Sequence, residues 1–198
     1  MQILYSDRDL VACIKPVGLD SETEAPAVLK EILGGALFPI HRLDKNVGGV
    51  MVFARTKAAA AALSKAVQDG SLVKEYVAQV HGTPPENGDW TDLLFKDSSK
   101  NKVFVVKKER KGVKKARLEF VRTGENQVRI RLHTGRSHQI RVQFASRQHP
   151  LLGDHKYGAR DAHKAPMLFS CCLTFPWKGK TMRYEILPQW AKDLLQNA

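Results

Sequence analysis

Gln127-Val128-Arg129-Ile130-Arg131-Leu132 is the stretch that decides the fold class. Val128, Ile130 and Leu132 alternate with Arg129 and Arg131, so a strand here has one apolar face and one basic face. Side chains alternate sides along a strand, and this pattern belongs to a half-exposed antiparallel strand. Outward from it, Leu118–Val121, Val103–Val106 and Val73–Val80 read as strands upstream, with Leu10–Ile14 and Val50–Ala54 nearer the N-terminus. Met167–Phe175 and Thr181–Leu187 read as strands downstream. Helices are few. Residues 24–33 suit a short helix that ends at Gly34-Gly35, and Thr56 suits the N-cap of an Ala-rich helix ending near Gly70, with Ala60, Leu63 and Val67 on one face. Ser137 is expected to cap a helix that turns Ile140 and Phe144 inward, and a short C-terminal helix is expected from about Pro188. Strands that dominate, with few helices between them, predict an α+β protein with a mixed, mostly antiparallel sheet rather than a doubly wound parallel one. No repeat, low-complexity tract or long linker interrupts the 198 residues, which are read as one domain, 1–198.

Charge narrows the function classes. Lys plus Arg number 32 against 20 Asp plus Glu, a net charge of +12. Such an excess attracts polyanions, with nucleic acid first and an anionic membrane surface second. The membrane alternative needs an apolar run of about 18 residues or a basic amphipathic helix, and no such run occurs. Met1 to Asp7 lacks the charged and apolar regions of a signal peptide, so a cytoplasmic protein is expected. Cys13, Cys171 and Cys172 form neither a disulfide framework nor a zinc pattern and are expected as buried, reduced thiols.

Four segments carry chemistry. In Pro39-Ile40-His41-Arg42-Leu43-Asp44-Lys45-Asn46-Val47-Gly48-Gly49-Val50 a carboxylate lies between two cations and two glycines lead into an apolar strand. Neighbouring positive charge favours the ionised carboxylate. Lys74-Glu75-Tyr76-Val77-Ala78 places an aromatic ring on a strand, where it either packs in the core or stacks on a nucleobase. His133-Thr134-Gly135-Arg136-Ser137-His138-Gln139-Ile140-Arg141-Val142 joins a glycine turn rich in donors to a helix start. His133 and His138 lack companions at metal-ligand spacing, so no metal is expected. Residues 96–117 hold ten Lys or Arg and two acids, so this segment supplies +8 of the net charge. A solvated hairpin accounts for such a run, and so does contact with an RNA backbone through Lys107, Lys108, Lys111, Lys114, Lys115 and, from the glycine turn, Arg136; the density favours the second. The sequence has no GxxxxGK[ST] loop, no GxGxxG after a strand and no GxSxG elbow, which argues against NTP hydrolysis, dinucleotide chemistry and serine hydrolysis.

In order, His41-Arg42-Leu43-Asp44, Lys74-Glu75-Tyr76-Val77-Ala78 and Thr134-Gly135-Arg136-Ser137-His138-Gln139-Ile140-Arg141 resemble the RluA-type pseudouridine synthases. Lys15-Pro16-Val17-Gly18 and His149-Pro150-Leu151-Leu152-Gly153-Asp154-His155-Lys156-Tyr157-Gly158 extend the resemblance over most of the chain. The resemblance implies a long, bent, mixed sheet in two lobes with a central catalytic cleft. It implies isomerisation of uridine in ribosomal or transfer RNA, with no cofactor or metal. Asp44 would be the catalytic aspartate, Tyr76 would pack against the target uracil, Arg141 would pair with the aspartate, and Ile140 would line the pocket. Arg42 would help open the RNA helix and hold the flipped nucleotide. One departure stands out: Val47-Gly48-Gly49 replaces the family's usual Thr-Ser-Gly, which removes two hydroxyls beside the catalytic loop. No extra N-terminal RNA-binding domain of the kind many relatives carry is expected, and a monomer is the default expectation. A non-catalytic RNA-binding protein on the same fold is the alternative, favoured by the Val47-Gly48 departure and opposed by the intact Asp44, Tyr76 and Arg141; a basic ribosomal assembly protein is a weaker one.

Overall fold

The computed structural model describes residues 1–196. In chain order the elements are β1 (Gln2–Ser6), β2 (Leu10–Lys15), α1 (Glu24–Leu33), β3 (Phe38–Pro39), β4 (Gly48–Ala54), α2 (Lys57–Gln68), β5 (Val73–Gln79), β6 (Asn87–Asp97), β7 (Lys102–Val106), β8 (Val113–Arg122), β9 (Gln127–Leu132), α3 (Gln139–Ala145), β10 (Leu168–Trp177), β11 (Lys180–Glu185) and α4 (Gln189–Gln196). The result is the expected sheet-dominated α+β class. The chain folds as two compact units, Met1–Glu75 with Phe169–Leu187, and Tyr76–Leu168 with the segment from Pro188.

In the first unit the strands run in the order β1-β2-β4-β10, with β11 beside β10 and β3 beside β4. β4 pairs antiparallel with β2 and parallel with β10, so the sheet is mixed. Every residue of β4 is buried, which is why its apolar run shows no alternation. Thr56 caps α2 as expected, its hydroxyl accepting from the amide of Ala59 at 3.2 Å. The buried stripe of α2 is Ala59, Leu63 and Ala66, packed with Leu10, Val50, Val52, Leu173 and Phe175; Ala60 and Val67 flank it. Gly49 is required by close approach. Its φ is +132°, and a Cβ there would stand 2.4 Å from the carbonyl oxygen of Ser170 on β10.

In the second unit the order is β5-β9-β8-β6-β7. β9 spans the stretch that opened the sequence reading: Val128 and Ile130 are fully buried, and Arg131 is exposed. β6, the longest strand, is invisible to hydrophobic alternation. Gly88, Trp90, Asp92 and Leu94 share the parity that faces α3, and glycine and aspartate break the apolar pattern. Gly88 is there because a Cβ would meet the Phe120 ring at 2.4 Å. Asp92 is there because it accepts from Gln143 (2.7 Å) and Arg147 (2.9 Å) on and just beyond α3. Trp90, Phe120 and Phe144 form an aromatic core with ring centroids 4.4, 4.7 and 5.2 Å apart.

One expected detail fails. Ser137 does not cap α3. The N-cap is His138, in the left-handed region at φ +50°, and it makes no side-chain cap bond. Gln139 does the organising instead: its Oε1 accepts from the Thr134 hydroxyl (2.7 Å) and the Arg136 amide (3.1 Å), while its Nε2 donates to the Arg117 carbonyl (3.1 Å). The expected C-terminal helix is present as α4, and all three thiols are buried and outside any disulfide.

Candidate active site

Asp44 stands half-buried between buried Leu43 and Val47 on a loop fixed at several points. The Ser21 hydroxyl, itself buried, donates to the Leu43 carbonyl (2.7 Å) and accepts from the Leu43 amide (3.0 Å). Lys15 is fully buried, and its ammonium donates to the carbonyls of Pro16 (2.9 Å), Leu19 (2.8 Å) and Lys45 (3.3 Å). The Gly18 amide also donates to the Lys45 carbonyl (2.8 Å), and a turn closes from the Val47 amide to the Asp44 carbonyl (2.9 Å). Upstream, His41 Nε2 accepts from the Val52 amide at 3.2 Å and ties the segment to β4.

Electrostatics follow from this burial. Desolvation pushes the Lys15 ammonium down to about 8, with the carboxylates of Asp20 and Asp44 pulling the other way. It is therefore still largely charged at neutral pH. Burial pushes the His41 imidazole down to about 3, so the ring is neutral. Because Nε2 accepts, the proton sits on Nδ1, which is buried and meets no partner among the described residues. Arg42 is exposed and ion-paired with Glu22 at 2.8 Å, and Lys45 pairs with Glu24 at 3.1 Å. The Val47-Gly48 departure also has a local account. A Cβ on Gly48 would lie 3.2 Å from the Lys15 carbonyl oxygen and 3.4 Å from Val17, tight packing that glycine relieves.

In the second unit, α3 buries six of its seven residues, polar ones included. Arg141 forks onto Asp154, Nε to Oδ2 at 2.7 Å and Nη2 to Oδ1 at 2.8 Å, with both side chains almost wholly buried. The fork uses two of the five guanidinium N–H donors and fixes the plane of the group. Tyr157 braces the same region. Its ring lies 5.2 Å from the Arg141 guanidinium carbon, its hydroxyl accepts from the Val103 amide (2.8 Å), and it bonds to His138 Nδ1 (2.9 Å). Ile140 is buried beside Arg141, and Tyr76 is buried at 5% exposure on β5.

The structure thus brings Lys15, Ser21 and Asp44 together in one unit, and Ile140, Arg141, Asp154 and Tyr157 in the other. Asp154 and Tyr157 lie in a motif the sequence displays, but no spacing rule assigns them to Arg141. Lys15 carried a signal, a cation closing an otherwise apolar strand. Of the basic run, Arg117 is bound by Asp89 (2.8 Å) and Glu119 (2.6 Å), whereas Lys107, Lys108, Lys111, Lys114 and Lys115 meet no carboxylate among the described residues. Arg136 is exposed, its Nε donating to the Lys115 carbonyl at 3.0 Å. No helix among the described residues is long and apolar enough to cross a membrane.

Comparison with known proteins gives the family. Residues 9–146 match the family model described as RNA pseudouridylate synthase. The chain is 35% identical over 173 residues to ribosomal large subunit pseudouridine synthase D of Vibrio cholerae, covering 81% of this chain and 53% of that protein. It is 32% identical over 217 residues to an uncharacterized RNA pseudouridine synthase of Aquifex aeolicus, covering 94% and 69%. It is 31% identical over 186 residues to tRNA pseudouridine synthase C of Haemophilus ducreyi, covering 83% and 76%. The chain spans about half the length of the D-type relatives it matches. Two solved human structures share the fold: RNA Pseudouridylate Synthase Domain Containing 1 (TM-score 0.83, 21% identity, 98% of this chain and 85% of that one) and Domain Containing 4 (TM-score 0.80, 23% identity, 98% and 92%). With the family model matched over more than half its length and curated relatives above 30% identity, the chain belongs to the RNA pseudouridylate synthase family, of the RluA type that its motifs resemble.

Proposed function

We propose that this chain converts specific uridines in structured ribosomal or transfer RNA to pseudouridine, with Asp44 as the essential carboxylate. The observation that carries the reading is Asp44 itself, half-exposed on a loop that buried Ser21 and Lys15 hold rigid. A carboxylate kept accessible at the cost of a buried ammonium beneath its loop suits catalysis better than it suits packing.

The reaction breaks the N1–C1′ bond, turns the uracil and joins C5 to C1′; C5 then gives up its proton and N1 takes one up, so the product is an isomer of uridine. The base cannot turn within a stack, so it is flipped out, at a cost of a few kcal/mol. Tyr76 and Ile140 receive the uracil and offset part of that cost. Arg141, whose guanidinium Asp154 fixes, takes the role that the resemblance gives it, the basic partner of the catalytic carboxylate. Asp44 either attacks C1′ or removes the C2′ proton, and both routes use the same carboxylate. Arg42 exchanges its exposed pairing with Glu22 for the displaced RNA strand, a cheap exchange because surface ion pairs contribute about 0–1 kcal/mol. Lys107, Lys108, Lys111, Lys114, Lys115 and Arg136 contact the backbone. Neither metal nor cofactor takes part, and the protein works as a cytoplasmic monomer.

The test is incubation of the purified protein with ribosomal and transfer RNA that lack pseudouridine, followed by pseudouridine mapping. New pseudouridine at discrete positions supports the proposal. RNA binding with no product at any position would leave only a non-catalytic RNA-binding protein.

A further inference from the structure

The face of β6, β7 and β8 that packs on α3 does not end in apolar residues. Leu94 lies opposite Lys114 across β6–β8, and Lys96 lies opposite Val103 across β6–β7. Directly opposed residues share a face, as do residues two apart on one strand. Leu94, Val103, Lys96 and Lys114 therefore stand on one side of the sheet, the side on which Leu94, Val103 and Ala116 are buried against Val142 of α3. At the end of this face, next to the loop that precedes α3, a cavity of about 160 Å³ opens, lined by Leu94, Val103, Lys96, Lys114 and the Gly135-Arg136-Ser137 turn.

Three cations line this cavity and no carboxylate does. Lys96 and Lys114 are diagonal neighbours, with Cα positions about 7–8 Å apart, a spacing that lets both ammonium groups reach one phosphate. Neither meets an acid among the described residues. The nearby acid, Asp97, points to the opposite face and is taken up by the amide and hydroxyl of Ser99 at 3.0 and 2.6 Å. The turn carrying Arg136 is fixed in advance, because the Arg136 amide is held by the buried Gln139 side chain and its Nε by the Lys115 carbonyl. Solvated lysines need neither an apolar floor nor a rigid arginine at the rim. A cation rim over apolar side chains matches a nucleotide, with an anionic phosphate at the rim and a ribose and base against the floor.

We infer that this cavity binds one nucleotide of an RNA strand, with its phosphodiester between Lys96, Lys114 and Arg136 and its base or sugar over Leu94 and Val103. The inference rests on the RNA reading above and adds a defined contact to it.

The test uses the full chain and a fluorescent pentauridylate. Binding is followed by anisotropy over a salt series for the unaltered protein, for Lys96→Gln/Lys114→Gln, and for Lys57→Gln/Lys65→Gln, which removes the same charge from α2. Two lysines on one phosphate predict a log–log salt slope shallower by about 1 in the first variant, and an unchanged slope in the second. The methyl NMR signals of Leu94 and Val103 should shift with pentauridylate and stay in place with inorganic phosphate at the same concentration. An equal loss of slope in both variants would reduce the cavity to part of a general positive field and overturn the inference. Still methyls with pentauridylate would overturn it, and so would methyls that inorganic phosphate moves equally, which marks a free-anion site. Pseudouridine formation by the unaltered protein is scored separately. Product without a methyl response sinks this inference alone, whereas a methyl response without product sinks only the enzymatic proposal.

Discussion

His41 should make this protein acid-sensitive in a way one substitution can isolate. Its Nε2 accepts the Val52 amide, so protonation both breaks that bond and buries a charge. Burial pushes the imidazole down to about 3, and the nearby Lys74 acts in the same direction. In the unfolded chain the ring takes a proton near its ordinary value of about 6.5. The folded-state value is depressed, so the stabilisation is complete above about pH 6.5 and declines as pH falls toward the folded value. The slope between the two is about 1.4 kcal/mol per pH unit, which gives about 2 kcal/mol lost between pH 7 and pH 5 from this ring alone. Gln offers an acceptor to Val52 and does not titrate. Urea unfolding of the unaltered protein and of His41→Gln at both pH values removes the contribution of every shared group by difference. The unaltered protein should lose about 2 kcal/mol more than the variant, or about 4–8 °C in Tm. Equal losses would show that the ring is protonated in the fold and that the burial reasoning is wrong.

Asp154→Asn keeps the shape but removes the charge of the carboxylate onto which the buried Arg141 guanidinium forks, with an expected cost of about 3–5 kcal/mol by denaturant unfolding; a loss under about 1 kcal/mol would show that the pair is solvated. Gly49→Ala drives a methyl into the Ser170 backbone and should cost about 2–5 kcal/mol, whereas a neutral result would mean β4 and β10 can separate freely. Lys15→Met removes the ammonium that donates to the Lys45 carbonyl and should lower kcat about 10- to 100-fold with little change in KM, as misplacement of Asp44 requires; an equal rise in KM would assign Lys15 to binding instead.

Much of the fold could be read from periodicity, and its failures have physical causes. β9 and β4 announce themselves, one by alternation and the other by an unbroken apolar run that burial on both faces explains. β6 stays hidden because its inward positions are spent on Gly88 and Asp92, one for clearance under Phe120 and one to anchor Gln143 and Arg147. Ser137 misled because local propensity suggests a hydroxyl cap, while the long-range side chain of Gln139 closes that turn. Asp44, Tyr76, Ile140 and Arg141 were legible as candidates because motif strings carry them. The supporting residues were not, because Ser21 with Leu43, Lys15 with Lys45 and Arg141 with Asp154 meet only through tertiary contacts 13 to 30 residues apart in sequence.

The central claim is that the Asp44 carboxylate performs the isomerisation, and Asp44→Asn tests it with almost no change in shape. On an RNA that the unaltered protein modifies, the variant should form no detectable pseudouridine under single-turnover conditions while binding that RNA with an affinity close to the original. Product at the original rate from the Asn variant would contradict the account outright.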